Sequence, residues 1–279
     1  MKYSDFKKYI VLFILLVSNL SYAQFEVEFN ETKGSLTLSD NLKPEFGRYD
    51  GYRIPLYKGE TVNFIVFSEK FNPGLIFVTP QGDVFKQSDK TTPGFASIIT
   101  DITEDGEWIL YVVGDSSSVG EYQFQYAIAG SNSVSLPADA DFCTSLQFIL
   151  AHSNAFFLLL ENRYDSSNSF IKLKGAKDSF IDESDGSFTS VFLETDNLNE
   201  AEKLHKDLIN SISSCLDKNW KSGSSDWRKN VDYRVKETVF TENIKDSYRI
   251  IKIELLDLKG SKEKFLSDYA VQVVINKNR

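Results

Sequence analysis

The chain has 279 residues, 40 of them acidic against 31 basic, for a formal net charge of −9. Hydrophobic residues make up 42% and aromatic residues 14%, which excludes disorder over most of the length. The first half is the more acidic, with 8 basic and 16 acidic residues over 24–130. That excess excludes nucleic acid as a partner, because non-specific binding rests on neutralising phosphates with Lys and Arg.

The N-terminus reads as an export signal. Lys2, Lys7 and Lys8 give a positive start, Tyr9 to Val17 is an unbroken apolar run, and Ser21-Tyr22-Ala23 supplies the small residues that a signal peptidase reads. Nine apolar residues fall well short of the roughly 20 that a membrane span needs. Cleavage between Ala23 and Gln24 is expected, with no stable membrane insertion afterwards. The mature protein is expected to be soluble and exported, in the periplasm or outside a bacterial cell. Its remaining length predicts two domains.

From about Ser35 to Ile128, short alternating runs are broken by turn residues every 8–12 positions. Glu121 to Tyr126 places three aromatics on one face and polar groups on the other, the period-2 signature of a half-buried strand. Thr61 to Phe67 and Trp108 to Val113 are apolar on both faces and read as central strands. Lys58-Gly59-Glu60, Asn72-Pro73-Gly74, Pro80-Gln81-Gly82-Asp83 and Asp105-Gly106 mark the reversals. The pattern predicts an antiparallel β-sandwich over 24–130.

These residues also carry a resemblance. Asp50-x-Tyr52, Lys58-Gly59-Glu60, Ser68-x-x-Phe71-Asn72-Pro73, Leu75, Thr79-Pro80-Gln81-Gly82, Gly106-Glu107-Trp108 and Gly120-Glu121-Tyr122 resemble the bacterial pre-peptidase C-terminal domain over residues 34–129. The resemblance implies a small jelly-roll-like sandwich of the kind found beside secreted peptidases and other exported hydrolases. Some members of that family bind calcium. Asn72 stands where many members have Asp, and Gly74 separates Pro73 from Leu75, so no binding residue is carried over.

Residues 131–138 form a polar linker, and 139–279 read as an α+β domain. Phe142, Leu146, Ile149, Leu150, Phe157, Leu160 and Tyr164 recur at helical spacing, predicting a helix over 139–163 with a break near Ser153-Asn154. Asn197 and Glu200 form an N-cap box, followed by Leu198, Ala201, Leu204, Leu208, Ile212, Cys215 and Trp220. Strands are expected at 169–173, 188–194, 233–241, 248–256 and 269–275. Two helices would then pack on one face of a mostly antiparallel sheet.

Cys143 and Cys215 are the only cysteines, and in an exported protein they are expected to form one disulfide. Such a bridge suits the start of one helix packed beside the end of another. Two separate buried thiols are the competing reading.

Catalytic chemistry has little to work with. His152 and His205 are the only histidines; His152 lies in an apolar helical stretch and reads as packed, whereas His205 falls between Leu204 and Lys206 and reads as solvated. No serine sits in a G-x-S-x-G elbow. Zinc lacks a ligand set once the cysteines are bridged. Calcium remains the one metal with oxygen ligands to hand, and Asp101 to Gly106 imitates the start of a calcium loop. Thr103 and Val112 occupy positions where ligands are required, and Asp182 to Gly186 has the wrong spacing. Both read as acidic turns, and no cofactor is assigned. Tyr49, Tyr52 and Tyr57 are the candidate aromatic contact surface, with Trp108 and Tyr111 nearby, although a sandwich needs such residues for its core as well.

The expectation is an exported, non-enzymatic binding or accessory protein whose partner is a protein or glycan of the cell envelope or beyond. An envelope hydrolase using carboxylate, Ser or Lys chemistry in the second half is the alternative from another class. A third is an inhibitor or chaperone-like partner of a secreted peptidase.

Overall fold

The computed structural model describes residues 25–279 apart from 89–91, 163–164, 170, 183–185, 244–247, 262–266 and 278–279. The expected leader and its Ala23–Gln24 junction lie outside the described residues, as do Tyr164 and the middle of the 182–186 turn. The described chain is mostly antiparallel β-sheet with two helices.

Nine strands come first: β1 (Val27–Leu36), β2 (Leu42–Lys43), β3 (Gly47–Leu56), β4 (Thr61–Phe67), β5 (Gly74–Val78), β6 (Val84–Gln87), β7 (Phe95–Asp101), β8 (Gly106–Val113) and β9 (Gly120–Ala129). They form a four-stranded sheet in the order β1-β9-β4-β7 and a five-stranded sheet in the order β2-β3-β8-β5-β6. Their inner faces share one core, in which Phe64, Phe77, Trp108 and Phe124 are fully buried. Trp108 stacks on Phe77 with centroids 4.8 Å apart and donates its indole N–H to Glu104 O. β4 and β8, expected to be central, each pair on both sides. Their two-sided apolarity has that cause. The inner face packs on the opposite sheet, and the outer face of β4 is partly covered by the rest of the chain.

The second half contains α1 (Phe142–His152), a 3-10 turn at Ser153–Ala155, β10 (Glu161–Asn162), β11 (Asp165–Ser169), β12 (Asp178–Asp182), β13 (Ser187–Thr195), α2 (Leu198–Cys215), β14 (Trp220–Ser224), β15 (Arg228–Lys229), β16 (Arg234–Glu242), β17 (Arg249–Asp257) and β18 (Tyr269–Lys277). Its sheet runs β10-β11-β12-β13-β18-β17-β16-β14, with β15 also on β16. α2 lays its buried stripe of Ala201, His205, Leu208, Ile212 and Cys215 against β13, β17 and β18. Ile251, Ile253, Leu255, Val271, Val273 and Ile275 meet it at strand spacing.

Several expectations are corrected. The first helix begins at Phe142 and ends at His152, at the break expected near Ser153-Asn154. It does not resume toward 163, because the chain turns left-handed at Phe156 and Phe157, with φ of 49° and 61°. Ser153 helps the exit by donating its hydroxyl to Leu150 O at 2.7 Å. α2 ends at Cys215, where Leu216 is extended, and Trp220 begins a strand instead of ending the helix. A strand falls at Asp165–Ser169 in place of 169–173. Asp178–Asp182 and the short pieces at 161–162, 220–224 and 228–229 carry too little apolar alternation to be read beforehand. Asn197 does cap α2 through Asn199 N and Glu200 N, but Glu200 accepts from Thr195 Oγ1 rather than reaching back to the Asn197 N–H.

Cys143 and Cys215 are joined in a disulfide, with Cα atoms 5.1 Å apart, tying the start of α1 to the end of α2. His205 is buried, at 5% exposure, contrary to the solvated reading; its Nε2 lies 3.2 Å from Ile253 O. The helix turns that edge onto the sheet, so sequence neighbours of opposite character do not decide its side. His152 is packed as expected, at 1% exposure, with Nε2–H donating to Ser133 O at 2.9 Å.

The halves share an apolar seam. On the outer face of the four-stranded sheet, the register sets Phe29, Ala127, Asn63 and Ile99 in one row. Ala151, Ala155 and Leu159 pack over this end of the face. Phe156 meets Phe29 edge to face at 5.2 Å, and Asn63 Nδ2 donates to Leu158 O at 2.9 Å.

Candidate functional site

Two rows further along the same outer face, Lys33, Gln123, Phe67 and Phe95 lie side by side and nothing in the described chain covers them. This end of the sandwich opens into a groove of about 1300 Å³. It is walled by Lys33–Ser35, Phe67–Asn72, Pro93–Phe95 and Glu121–Gln123.

One serine shapes its rim. Ser68 donates its hydroxyl to Glu121 O at 2.8 Å and accepts from Lys70 N and Phe71 N, which curls the 68–72 turn against β9. Ser68 N donates to Gly94 O, and Gly94 N donates back to Asn72 Oδ1 at 3.1 Å. Gly94 has a φ of +73°, and a Cβ there would strike Ser68 O. The motif residues Ser68, Phe71, Asn72, Glu121 and Tyr122 thus converge from two distant stretches of sequence.

The groove is amphipathic. Phe67 and Phe95 are tilted neighbours with centroids 5.2 Å apart, and Phe67 is 41% exposed. Lys33, Lys70, Glu69 and Glu121 stand exposed around them, and none makes an ion pair among the described residues. On the inner side, Tyr122 donates to Asp50 Oδ2 at 2.6 Å and shares a 2.6 Å hydrogen bond with Tyr52 Oη. Burial raises both phenols above their ordinary value, Tyr122 by far the more, and the acceptor Asp50 pushes Tyr122 further. These are neutral hydrogen-bonding groups at any physiological pH.

The three candidate tyrosines do not share a face. Tyr52 points into the sandwich against Phe124, at 4.8 Å. Tyr49 points outward beside Phe46 and Tyr111. Tyr57 sits in the turn before β4, 63% exposed. Strand alternation separates positions 49 and 52, and no spacing argument from sequence alone could choose between them. The groove phenylalanines lacked a signal of their own, since Phe67 ends a strand that is otherwise buried.

Acidic turns are occupied with local hydrogen bonding. Asp101 accepts from Thr61 Oγ1, Asp105 from Lys58 N and Glu104 from Gln81 Nε2. Among the described residues no three His, Cys, Asp or Glu side chains gather as a metal site. No helix among them is long and apolar enough to cross a membrane.

No family model matches the sequence, and no curated protein matches it. Among solved structures, the chain is similar to PliG of Aeromonas hydrophila, a periplasmic lysozyme inhibitor of g-type lysozyme. The identity is 13% and the TM-score 0.28, over 40% of this chain and 90% of that one. It is also similar to the pre-peptidase C-terminal domain of a collagenase from Bacillus anthracis, the family that the motifs resemble. There the identity is 14% and the TM-score 0.26, over 36% of this chain and 87% of that one. Likeness at this level decides nothing about activity.

Proposed function

We propose that this chain is an exported, non-enzymatic binding or accessory protein. In this reading a jelly-roll-like sandwich (24–130) and an α+β domain (139–279) are joined by a linker (131–138), and the sandwich groove takes an extended segment of a protein partner in the cell envelope. The observation that carries the reading is the make-up of the groove. An exposed phenylalanine, Phe67, and a half-buried one, Phe95, lie flanked by charges of both signs that make no ion pair among the described residues. Aromatic anchors inside a polar rim are what protein recognition uses.

Two further features support it. Both histidines bond to backbone carbonyls deep in the fold, and both cysteines are bridged. The remaining titratable groups of the groove are surface Lys and Glu. Export accounts for the leader and suits the disulfide.

The test is retention from an envelope extract by the wild-type protein and by Phe67→Ser/Phe95→Ser, followed by titration of the retained protein in pure form. Loss of affinity by at least about tenfold in the variant is expected, with an unchanged melt. Equal affinity would move the binding surface elsewhere. Turnover of any metabolite by the purified chain, abolished by one point substitution, would overturn the non-enzymatic reading.

A further inference from the structure

The outer face of the five-stranded sheet carries a second built feature, which shares no residue with the groove. Tyr49 on β3 and Tyr111 on β8 meet edge to face with centroids 5.1 Å apart. Phe46, in the turn entering β3, closes the array at 5.4 Å from Tyr49 and 5.9 Å from Tyr111. Beneath the rings lies a dry floor of Ile76, Val78 and Val113. Gly51 stands opposite Tyr111, and a Cβ there would come within 3.1 Å of the ring, so glycine lets the phenol lie across the strand.

Lys43 reaches into this array. Its Nζ is 5.2 Å from the centroid of Phe46, 5.6 Å from Tyr49 and 5.5 Å from Tyr111. Among the described residues it pairs with no carboxylate. Lys43 belongs to a two-residue edge strand and is exposed, whereas the rings are half-buried and the two tyrosines stand on paired strands. The rings are therefore the fixed part and the lysine the movable one.

Three rings gathered round one ammonium are complementary to organic cations, because each ring face carries the negative lobe of its quadrupole. A free lysine ammonium is strongly hydrated and gives up more water on entering such a site than an alkylated ammonium does. We propose that Phe46, Tyr49 and Tyr111 form a binding site for alkylated ammonium groups, with Lys43 as a tethered occupant that the ligand displaces. Competition from the tethered lysine lowers apparent affinity by the fraction of time the site is filled.

The experiment titrates the full chain with tetramethylammonium, following the ring proton resonances of Tyr49 and Tyr111. The neutral isostere 3,3-dimethylbutan-1-ol serves as the control. Ring shifts with the cation and none with the alcohol are expected. Lys43→Ser should tighten the cation by about fivefold, since the internal competitor is gone. Tyr111→Leu should abolish the shifts at Tyr49; if that variant fails to melt cooperatively, Phe46→Leu in the turn takes its place. The proposal is overturned if folded Lys43→Ser binds no tighter than wild type, or if the alcohol is as effective as the cation.

Discussion

Tyr122 and Asp50 join the two sheets of the sandwich through one hydrogen bond, the phenol of β9 donating to the carboxylate of β3 at 2.6 Å. The ring that makes this bond lies across Gly34, its cross-strand partner, so closely that a Cβ at position 34 would overlap Cζ and Oη. A glycine, a tyrosine and an aspartate far apart in sequence thus depend on one another.

Gly34→Ala should destabilise the protein by about 1–3 kcal/mol, because the ring has no room to yield without breaking its bonds to Asp50 and Tyr52. In a Tyr122→Ala background the same substitution should cost little. Urea melts of the two single variants and the double variant measure the coupling. Additive losses would show that the two residues act independently.

Tyr122→Phe keeps the ring and removes the donor, which leaves Asp50 and Tyr52 Oη to find other partners at the sandwich end. A loss of about 1–2 kcal/mol is expected from equilibrium unfolding. No loss would mean that water replaces the phenol at no cost.

Reduction of the Cys143–Cys215 bridge should lower the melting temperature. The bridge spans 72 residues of sequence, and in the chain-entropy model a loop of that size contributes about 4 kcal/mol. The same melt with and without reductant would assign the bridge no stabilising role.

His152 should make the protein acid-sensitive. Burial pushes its pKa down to about 4, against the opposing hydrogen bond to Ser133 O, while the unfolded imidazole titrates near about 6.5. Between those values the unfolded state holds the extra proton. Stability is therefore full above about pH 6.5 and falls as pH drops toward 4. The whole window corresponds to about 3 kcal/mol. Protonation would also place a second N–H on Nδ1, an atom with no hydrogen-bond partner among the described residues. His205 shifts in the same direction through burial. Denaturant melts from pH 4.5 to 7.5 on wild type and His152→Gln should show a shallower pH slope in the variant; parallel slopes would count against it.

Arg249 and Glu242 form a guanidinium–carboxylate pair whose carboxylate side is 2% exposed. Arg249 also donates to Leu150 O at 3.1 Å, linking β17 to the end of α1. Arg249→Met should destabilise the protein by about 2–4 kcal/mol, since it removes the bidentate guanidinium from a buried carboxylate. The Arg249→Met/Glu242→Met double variant should recover much of that loss. Thermal melts of the three proteins decide it.

What could be read from the sequence was whatever repeats at short range. β4, β8 and β9 announced themselves by alternation or by two-sided apolarity, and α2 by its cap at Asn197 and a stripe at helical spacing. The cysteine pairing was the expectation for an exported chain with only two, and the structure bears it out against two separate thiols. The short strands at 161–162, 220–224 and 228–229 carry little such pattern, and it is backbone pairing with β11 and β16 that places them in the sheet. His205 was misplaced for a related reason: its neighbours in sequence point elsewhere on the helix, and only the sheet beneath α2 decides that its ring is buried.

The groove belongs to the same class. The turn at Asn72-Pro73-Gly74 was legible as a reversal, whereas the tight turn at Gly94 was not, and the convergence of Phe67, Phe95, Lys33 and Gln123 is a matter of register across four strands. That register brings together residues up to 90 positions apart, and no local periodicity encodes it. Where the second half stops covering the sheet is likewise set by packing of Ala151, Ala155 and Leu159 against the Phe29 row. Composition and spacing determined that strands and helices would form and that histidine and cysteine would be scarce. Tertiary structure alone decided which faces are closed and which are left open, because burial is a property of what lies opposite a side chain.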